Sequence, residues 1–183
     1  TAVYTIKGDG TVKVDNKVQF TGFRINLARI GVRMLLDKKY DRLSYFGRGP
    51  VENYADRKSA QDVGLYELEV NNQYEYEKPM EYGNREEMRW VKFNGADMPL
   101  FEVKADEKLM QFSALPYTDE QMNPVEYKID LPASTATVFC LSAKTLGVGS
   151  ASCGPRPLEK YQVKSDDTDF SYVLKLGDEK AEK

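Results

Sequence analysis

Short alternations of apolar and polar residues, broken every few positions by Gly, Asn, Asp or Pro, run along the whole chain. Tyr4-Thr5-Ile6 and Thr11-Val12-Lys13-Val14 alternate on either side of Gly8-Asp9-Gly10, the pattern of a half-exposed hairpin. The same two-residue period predicts strands over Gly31 to Leu36, Leu43 to Phe46, Leu65 to Val70, Trp90 to Phe93, Leu100 to Ala105 and Met110 to Leu115. It continues in Val125 to Leu131, Thr135 to Ala143, Lys160 to Val163 and Phe170 to Leu176. Asn94-Gly95 is the strongest single hairpin signal. Thr118 to Met122 predicts one short helix, because Thr118 can cap the first turn while Gln121 reaches back, and Pro124 limits its length. Many short strands with no long helical period predict an all-β fold, a large antiparallel sandwich with one short helix.

Composition narrows this picture. At 183 residues the chain can bury one good core, so residues 1–183 are expected to form a single domain. Basic and acidic residues number 26 and 29, spread along the chain without the basic stripe that a phosphate backbone requires, which argues against nucleic acid. The longest apolar runs, such as Val138-Phe139-Cys140-Leu141, are too short to cross a bilayer, which argues against a membrane span. Cys140 and Cys153 allow one disulfide, but a chain of this size needs no staple and two thiols are the expectation. Two cysteines without histidine fall short of a structural zinc set, so no metal is expected. The chain opens on Thr1 and enters strand-like residues almost at once, as a piece of a longer protein would.

The absence of histidine removes the commonest general base and the usual triad partner. Carboxylate pairs remain, since glycoside hydrolysis needs two acids about 5 to 9.5 Å apart. Glu52 and Asp56 are the candidate pair, in the dense run Tyr45 to Arg57, where Gly47, Gly49 and Pro50 permit a tight bend. Arg48 and Arg57 lie within a few residues, which favours the pair as hydrogen-bonded anchors over acids with raised pKa values. Trp90, preceded by Asn84, Arg85, Glu87 and Arg89, offers either a flat face for a pyranose ring or, the favoured reading, a core ring. Gly147 to Pro155 is rich in glycine, yet it lacks the Lys-Ser/Thr pair and third glycine of phosphate-binding loops. Cys153, with Arg156 nearby, reads as a packing residue.

Taken together, these motifs resemble the C-terminal small-chain domain of glycoside hydrolase family 2 β-galactosidases of the large bacterial type. Leu27-Ala28-Arg29-Ile30-Gly31 is similar to the family's Leu-Pro-Arg-Ile-Gly. Gly47 to Arg57, with Gly49, Pro50, Glu52, Tyr54 and Asp56, is similar to its Gly-x-Gly-Pro-x-Glu-x-Tyr-x-Asp-Arg. Gly83-Asn84-Arg85, Arg89-Trp90, Pro116-Tyr117-Thr118 with Glu120, and Gly147-Val148-Gly149 resemble later elements in the same order.

The resemblance implies the large sandwich shared with galactose mutarotases, excised from the C-terminus of a multidomain enzyme. It places the catalytic glutamates on a separate (β/α)₈ barrel domain, so this chain carries no catalytic residue and no cofactor. The implied partners are the other domains of the parent, a galactoside contacted only peripherally, and a second copy of the parent where it is a homo-oligomer. The implied setting is the bacterial cytoplasm or periplasm. The loop after Gly147-Val148-Gly149 brings a tryptophan to the sugar in the family. Here that neighbourhood reads Ser150-Ala151-Ser152-Cys153-Gly154, so Ser152, Cys153, Gly154 and Arg156 are the expected pocket residues, with the ring's stacking area lost. A histidine of the family is absent near Val125-Glu126-Tyr127, and Ala28 replaces a proline. Two other readings are weighed: a stand-alone carbohydrate-binding module built on Trp90 and the tyrosines, and a mutarotase-type epimerase, which the missing histidine disfavours.

Overall fold

The computed structural model describes residues 1–73, 76–149 and 154–177. In chain order the strands are β1 (Ala2–Ile6), β2 (Thr11–Val18), β3 (Asn26–Leu27), β4 (Arg29–Asp37), β5 (Arg42–Gly49), β6 (Asp62–Glu69) and β7 (Arg85–Met88). They continue with β8 (Trp90–Asn94), β9 (Leu100–Ala105), β10 (Met110–Leu115), β11 (Ala136–Thr145), β12 (Val163–Lys164) and β13 (Thr168–Gly177). A seven-stranded sheet runs β1-β2-β13-β9-β8-β5-β6, a four-stranded sheet runs β4-β11-β10-β7, and β12 pairs with β3. Pairing is antiparallel throughout. The fold is all-β, as the alternation predicts.

The two large sheets face one another through the inward half of each alternation. Leu43 and Tyr45 of β5, Val91 and Phe93 of β8 and Val103 of β9 meet Phe112 of β10 and Phe139 and Leu141 of β11 in one buried cluster. Phe93 meets Phe139 edge-on with centroids 4.8 Å apart, and Tyr45 meets Phe112 in the same way at 5.1 Å. A smaller cluster of Tyr82, Leu115 and Met122 packs with Tyr76, Tyr117 and Leu131. Leu115 lies out of step with the core-facing Phe112 and Ala114 on β10, so this second core sits on the sheet's other face.

Helix α1 (Asp119–Met122) forms where Thr118 and Gln121 predict it, with both halves of the capping box present. It is strapped to β4 by Arg33, which donates to the two oxygens of Glu120 at 2.9 and 3.0 Å. That guanidinium holds the Glu120 carboxyl down from its usual value to about 2. A depressed carboxyl stabilises the fold above its ordinary pKa and loses that contribution as pH falls toward the folded value. Glu120→Gln is therefore expected to flatten the loss of thermal stability between pH 4.5 and about 2, checked by melting both proteins across that window. The exposed position keeps the effect small.

Two expectations need correction. Val125 to Leu131 forms no strand; its alternating Tyr127 and Ile129 are exposed, and Lys128–Asp130 closes a 3-10 turn. Lys160 to Val163 is divided between a 3-10 turn, Glu159–Tyr161, and the start of β12. Asn94-Gly95 opens the β8–β9 hairpin as its residues predict, with residues 95–99 as the connection. The left-handed residue there is Asp97, while a side chain on Gly95 would collide with the Lys39 carbonyl.

Candidate functional site

The site begins where β5 ends. Gly47 and Gly49 are extended, so their role is space, which corrects the expectation of a bend at both. A Cβ on Gly47 would come within 3.2 Å of the Met88 backbone, and one on Gly49 would collide with the Tyr45 hydroxyl. The Gly49–Pro50 bond is cis. Beyond it Asn53, fully buried, organises the corner. Its Nδ2 donates to the carbonyls of Arg48 at 2.9 Å and Val51 at 3.0 Å, and its Oδ1 accepts from the Glu86 amide at 2.8 Å. Asn84 returns the contact, donating from Nδ2 to the Asn53 carbonyl at 2.8 Å.

The two candidate acids each hold backbone. One oxygen of Glu52 accepts from Arg57 and, at 2.5 Å, from the Tyr76 hydroxyl; the other accepts from the Gly83 amide at 2.8 Å. Asp56 accepts from the amides of Val148 at 3.0 Å and Gly149 at 2.8 Å, some ninety residues further along the chain. Carboxylates so engaged are positioned as anchors. Burial pushes the Tyr54 phenol well up, with the Glu52 charge adding to it, and the Arg57 guanidinium lies 5.3 Å above the Tyr54 ring.

The Asp56 contact fixes the base of the glycine-rich loop. Gly147 is buried, its amide donates to the Tyr161 carbonyl at 3.0 Å, and a side chain there would run into the Asp56 carboxylate. Gly149 is left-handed at φ +66°, and a Cβ there would lie 2.5 Å from the Pro155 carbonyl, so the two stems of the loop touch. Gly154 and Arg156 are exposed just beyond this junction. Ser152 and Cys153 lie outside the described residues. Cys140 is a buried free thiol whose pKa burial raises.

The remaining motif residues brace this corner from other directions. Arg29 pairs with Glu81 and, at 3.4 Å, with Asp119, although burial still raises the Glu81 pKa because it outweighs the Arg29 charge. Arg48 donates twice to Glu87, at 3.0 and 2.7 Å, and Lys58 donates to the buried Glu86 at 2.7 Å. Glu87 is left-handed at φ +55°, where the chain leaves β7 of one sheet and, after Arg89, enters β8 of the other. Arg89 lies 5.0 Å over the Phe46 ring. Trp90 is half-buried, out of step with the core-facing Val91 and Phe93, and Lys92 lies 5.4 Å over its ring. The core-ring expectation for Trp90 is thus corrected, because the pleat turns it to the outer face. Arg85 is buried at 4% exposure and, among the described residues, donates only to the Tyr45 hydroxyl at 3.2 Å and the Asn84 carbonyl at 3.3 Å.

Composition and motif place Glu52 and Asp56 side by side; folding gives them separate partners. Gln61, Gln73 and Tyr76, which join Glu52 and Arg85 around one pocket, carry no motif signal, since only the third dimension brings them together. No helix is long and apolar enough to cross a membrane among the described residues.

A family model described as beta galactosidase small chain matches residues 1–174. Curated relatives include a beta-galactosidase of Actinobacillus pleuropneumoniae, 31% identical over 173 residues that make up 93% of this chain and 16% of the relative. Others are the beta-galactosidases of Priestia megaterium, 29% identical over 80% of this chain and 14% of the relative, and Halalkalibacterium halodurans, 28% identical over 95% and 18%. The chain thus spans between 14% and 18% of the length of these relatives.

Proposed function

The chain belongs to the beta galactosidase small chain family, and from that premise we propose that it is a non-catalytic part of a β-galactosidase, packing on the catalytic barrel and helping to enclose the substrate. On this reading the whole protein hydrolyses terminal β-D-galactosides with retention of configuration, using two carboxylates that lie outside this chain. The observation that carries the reading is the Asp56 anchor, which ties the corner after β5 to the amides of Val148 and Gly149. A carboxylate on a braced corner fixes the two amides at the base of the loop, and a fixed base is what a pocket wall would be built on. Glu52 supports the same division of labour, because both of its oxygens are engaged within the chain.

The test uses the full-length protein and a nitrophenyl β-galactoside. Asp56→Ala is expected to lower kcat/KM by about ten- to a hundredfold through misplacement of the loop, while the melting temperature changes little. Asp56→Asn, which keeps one acceptor oxygen, is expected to fall between. The 183-residue chain alone is expected to leave the substrate intact. Turnover by the isolated chain, or an unchanged kcat/KM in Asp56→Ala, would overturn the proposal.

A further inference from the structure

A pocket of about 390 Å³ opens beside the corner formed by Glu52 and Arg57, and its polar lining does not balance. Two guanidiniums, Arg57 and Arg85, line it with one carboxylate, Glu52. That carboxylate already takes Arg57, the Tyr76 hydroxyl and the Gly83 amide. Arg85 is the unmatched charge: it is 4% exposed, both its acceptors are neutral oxygens, and no carboxylate pairs with it among the described residues. A buried cation without an anion is costly, and the cost is relieved by anything that brings negative charge into the pocket.

The same lining holds two acceptors without donors. Gln73 donates from Nε2 to the carbonyls of Ala114 at 2.7 Å and Val70 at 3.3 Å, which fixes the orientation of its amide. Its Oε1 is buried and has no partner among the described residues, and the buried Oε1 of Gln61 is in the same condition. Buried polar atoms left in this state call for donors. One negative group for Arg85 together with hydroxyls for Gln61 and Gln73 describes a single class of small molecule.

We propose that this pocket binds a small hydroxycarboxylate of the sugar-acid type, its carboxylate on the Arg85 guanidinium and its hydroxyls donating to the Gln61 and Gln73 side-chain oxygens. A neutral sugar satisfies the two amide oxygens but leaves Arg85 unpaired. A bare carboxylate does the reverse. The guanidinium's planar donor fork suits a carboxylate, so charge selects the ligand and the amides select its hydroxyls. The inference does not rest on the pocket-wall role proposed above, and it stands or falls separately.

Sodium gluconate is the probe, titrated into the full chain and followed by amide and arginine Nε–H resonances. Saturable shifts at Arg85 Nε–H and the Gly83 amide are expected, with a Kd on the order of 1 mM. Galactose and acetate are expected to bind at least about tenfold more weakly. Gln61→Glu places a second carboxylate in the pocket and removes no hydrogen bond to the Gln61 side-chain oxygen, and its amide spectrum checks that the fold is kept. That variant is expected to weaken gluconate by about tenfold or more through repulsion. Arg85→Gln gives the same loss where its spectrum shows a folded chain. Absence of saturable shifts with gluconate, equal affinity for galactose or acetate, or unchanged affinity in Gln61→Glu would overturn the proposal.

Discussion

Phe93→Ala is expected to cost about 3–5 kcal/mol of folding free energy, which is a large share of the roughly 5–15 kcal/mol that holds an ordinary domain together. Phe93 has no exposed surface, and its ring is where the two sheets touch: it stands edge-on to Phe139 at 4.8 Å and stacks with Phe101 at 6.1 Å. Removing it loses the transfer term for an aromatic side chain and leaves a cavity. The strands around that cavity, β8 and β11, cannot collapse without breaking pairings on both sides. The edge-on contact adds about 0.5–1.5 kcal/mol beyond area alone. Urea denaturation checks the value, with the midpoint falling and the slope unchanged. Ile129→Ala is the control, since that side chain is 88% exposed and its loss is expected to stay within about 0.5 kcal/mol. A cost for Phe93→Ala below about 1.5 kcal/mol would mean that the sheets do not meet through this ring.

The strands that form this core were legible because burial and alternation coincide in them. Leu43 and Tyr45, or Val91 and Phe93, mark the inner face at every second position, and no helix reproduces that period. Legibility fails where the two separate. Val125 to Leu131 alternates as well as any strand, yet its Asp130 and Leu131 amides turn back to the Tyr127 and Lys128 carbonyls, and Tyr127 and Ile129 face solvent. β7 fails in the opposite sense. Arg85, Glu86 and Glu87 read as surface, but the first two are buried: Glu86 is neutralised by Lys58, and Arg85 packs under the Tyr45 hydroxyl. Charge marks the surface only until a partner arrives from elsewhere in the chain.

The same limit governs the site. The run from Gly47 to Arg57 announces a shaped corner through its residue types, and the order of motifs announces the family. What the corner holds is invisible in one dimension, because the amides that Glu52 and Asp56 bind belong to Gly83, Val148 and Gly149. Even the glycines are read for the wrong reason: a sequence offers φ > 0 as their use, whereas Gly47 is needed because the β7 backbone passes close by.

Asn53→Ala is expected to be nearly as damaging as the loss of Phe93, although it removes only one small polar side chain. Three backbone groups depend on that amide: the carbonyls of Arg48 and Val51 and the N–H of Glu86. Asn53 itself has no exposed surface, so these groups gain little water when it goes. At about 1–3 kcal/mol for each buried group left unpaired, less what relaxation recovers, the net loss is about 3–5 kcal/mol. Asn53→Asp sharpens the expectation. It retains an acceptor for the Glu86 amide but turns an oxygen toward two carbonyls, so its cost should equal or exceed that of alanine despite its closer shape. Amide exchange separates this role from a merely local one. Because Asn53 fixes the corner that carries Glu52 and Asp56, its replacement should hasten exchange at Glu86 and also at Gly83, Val148 and Gly149, which hydrogen-bond those two acids. Asp56→Ala should hasten exchange at Val148 and Gly149 while leaving Glu86 protected. If Asn53→Ala instead left Val148 and Gly149 unchanged, the corner and the loop would be independent, and the path from the end of β5 to the glycine-rich loop would not carry the alignment attributed to it.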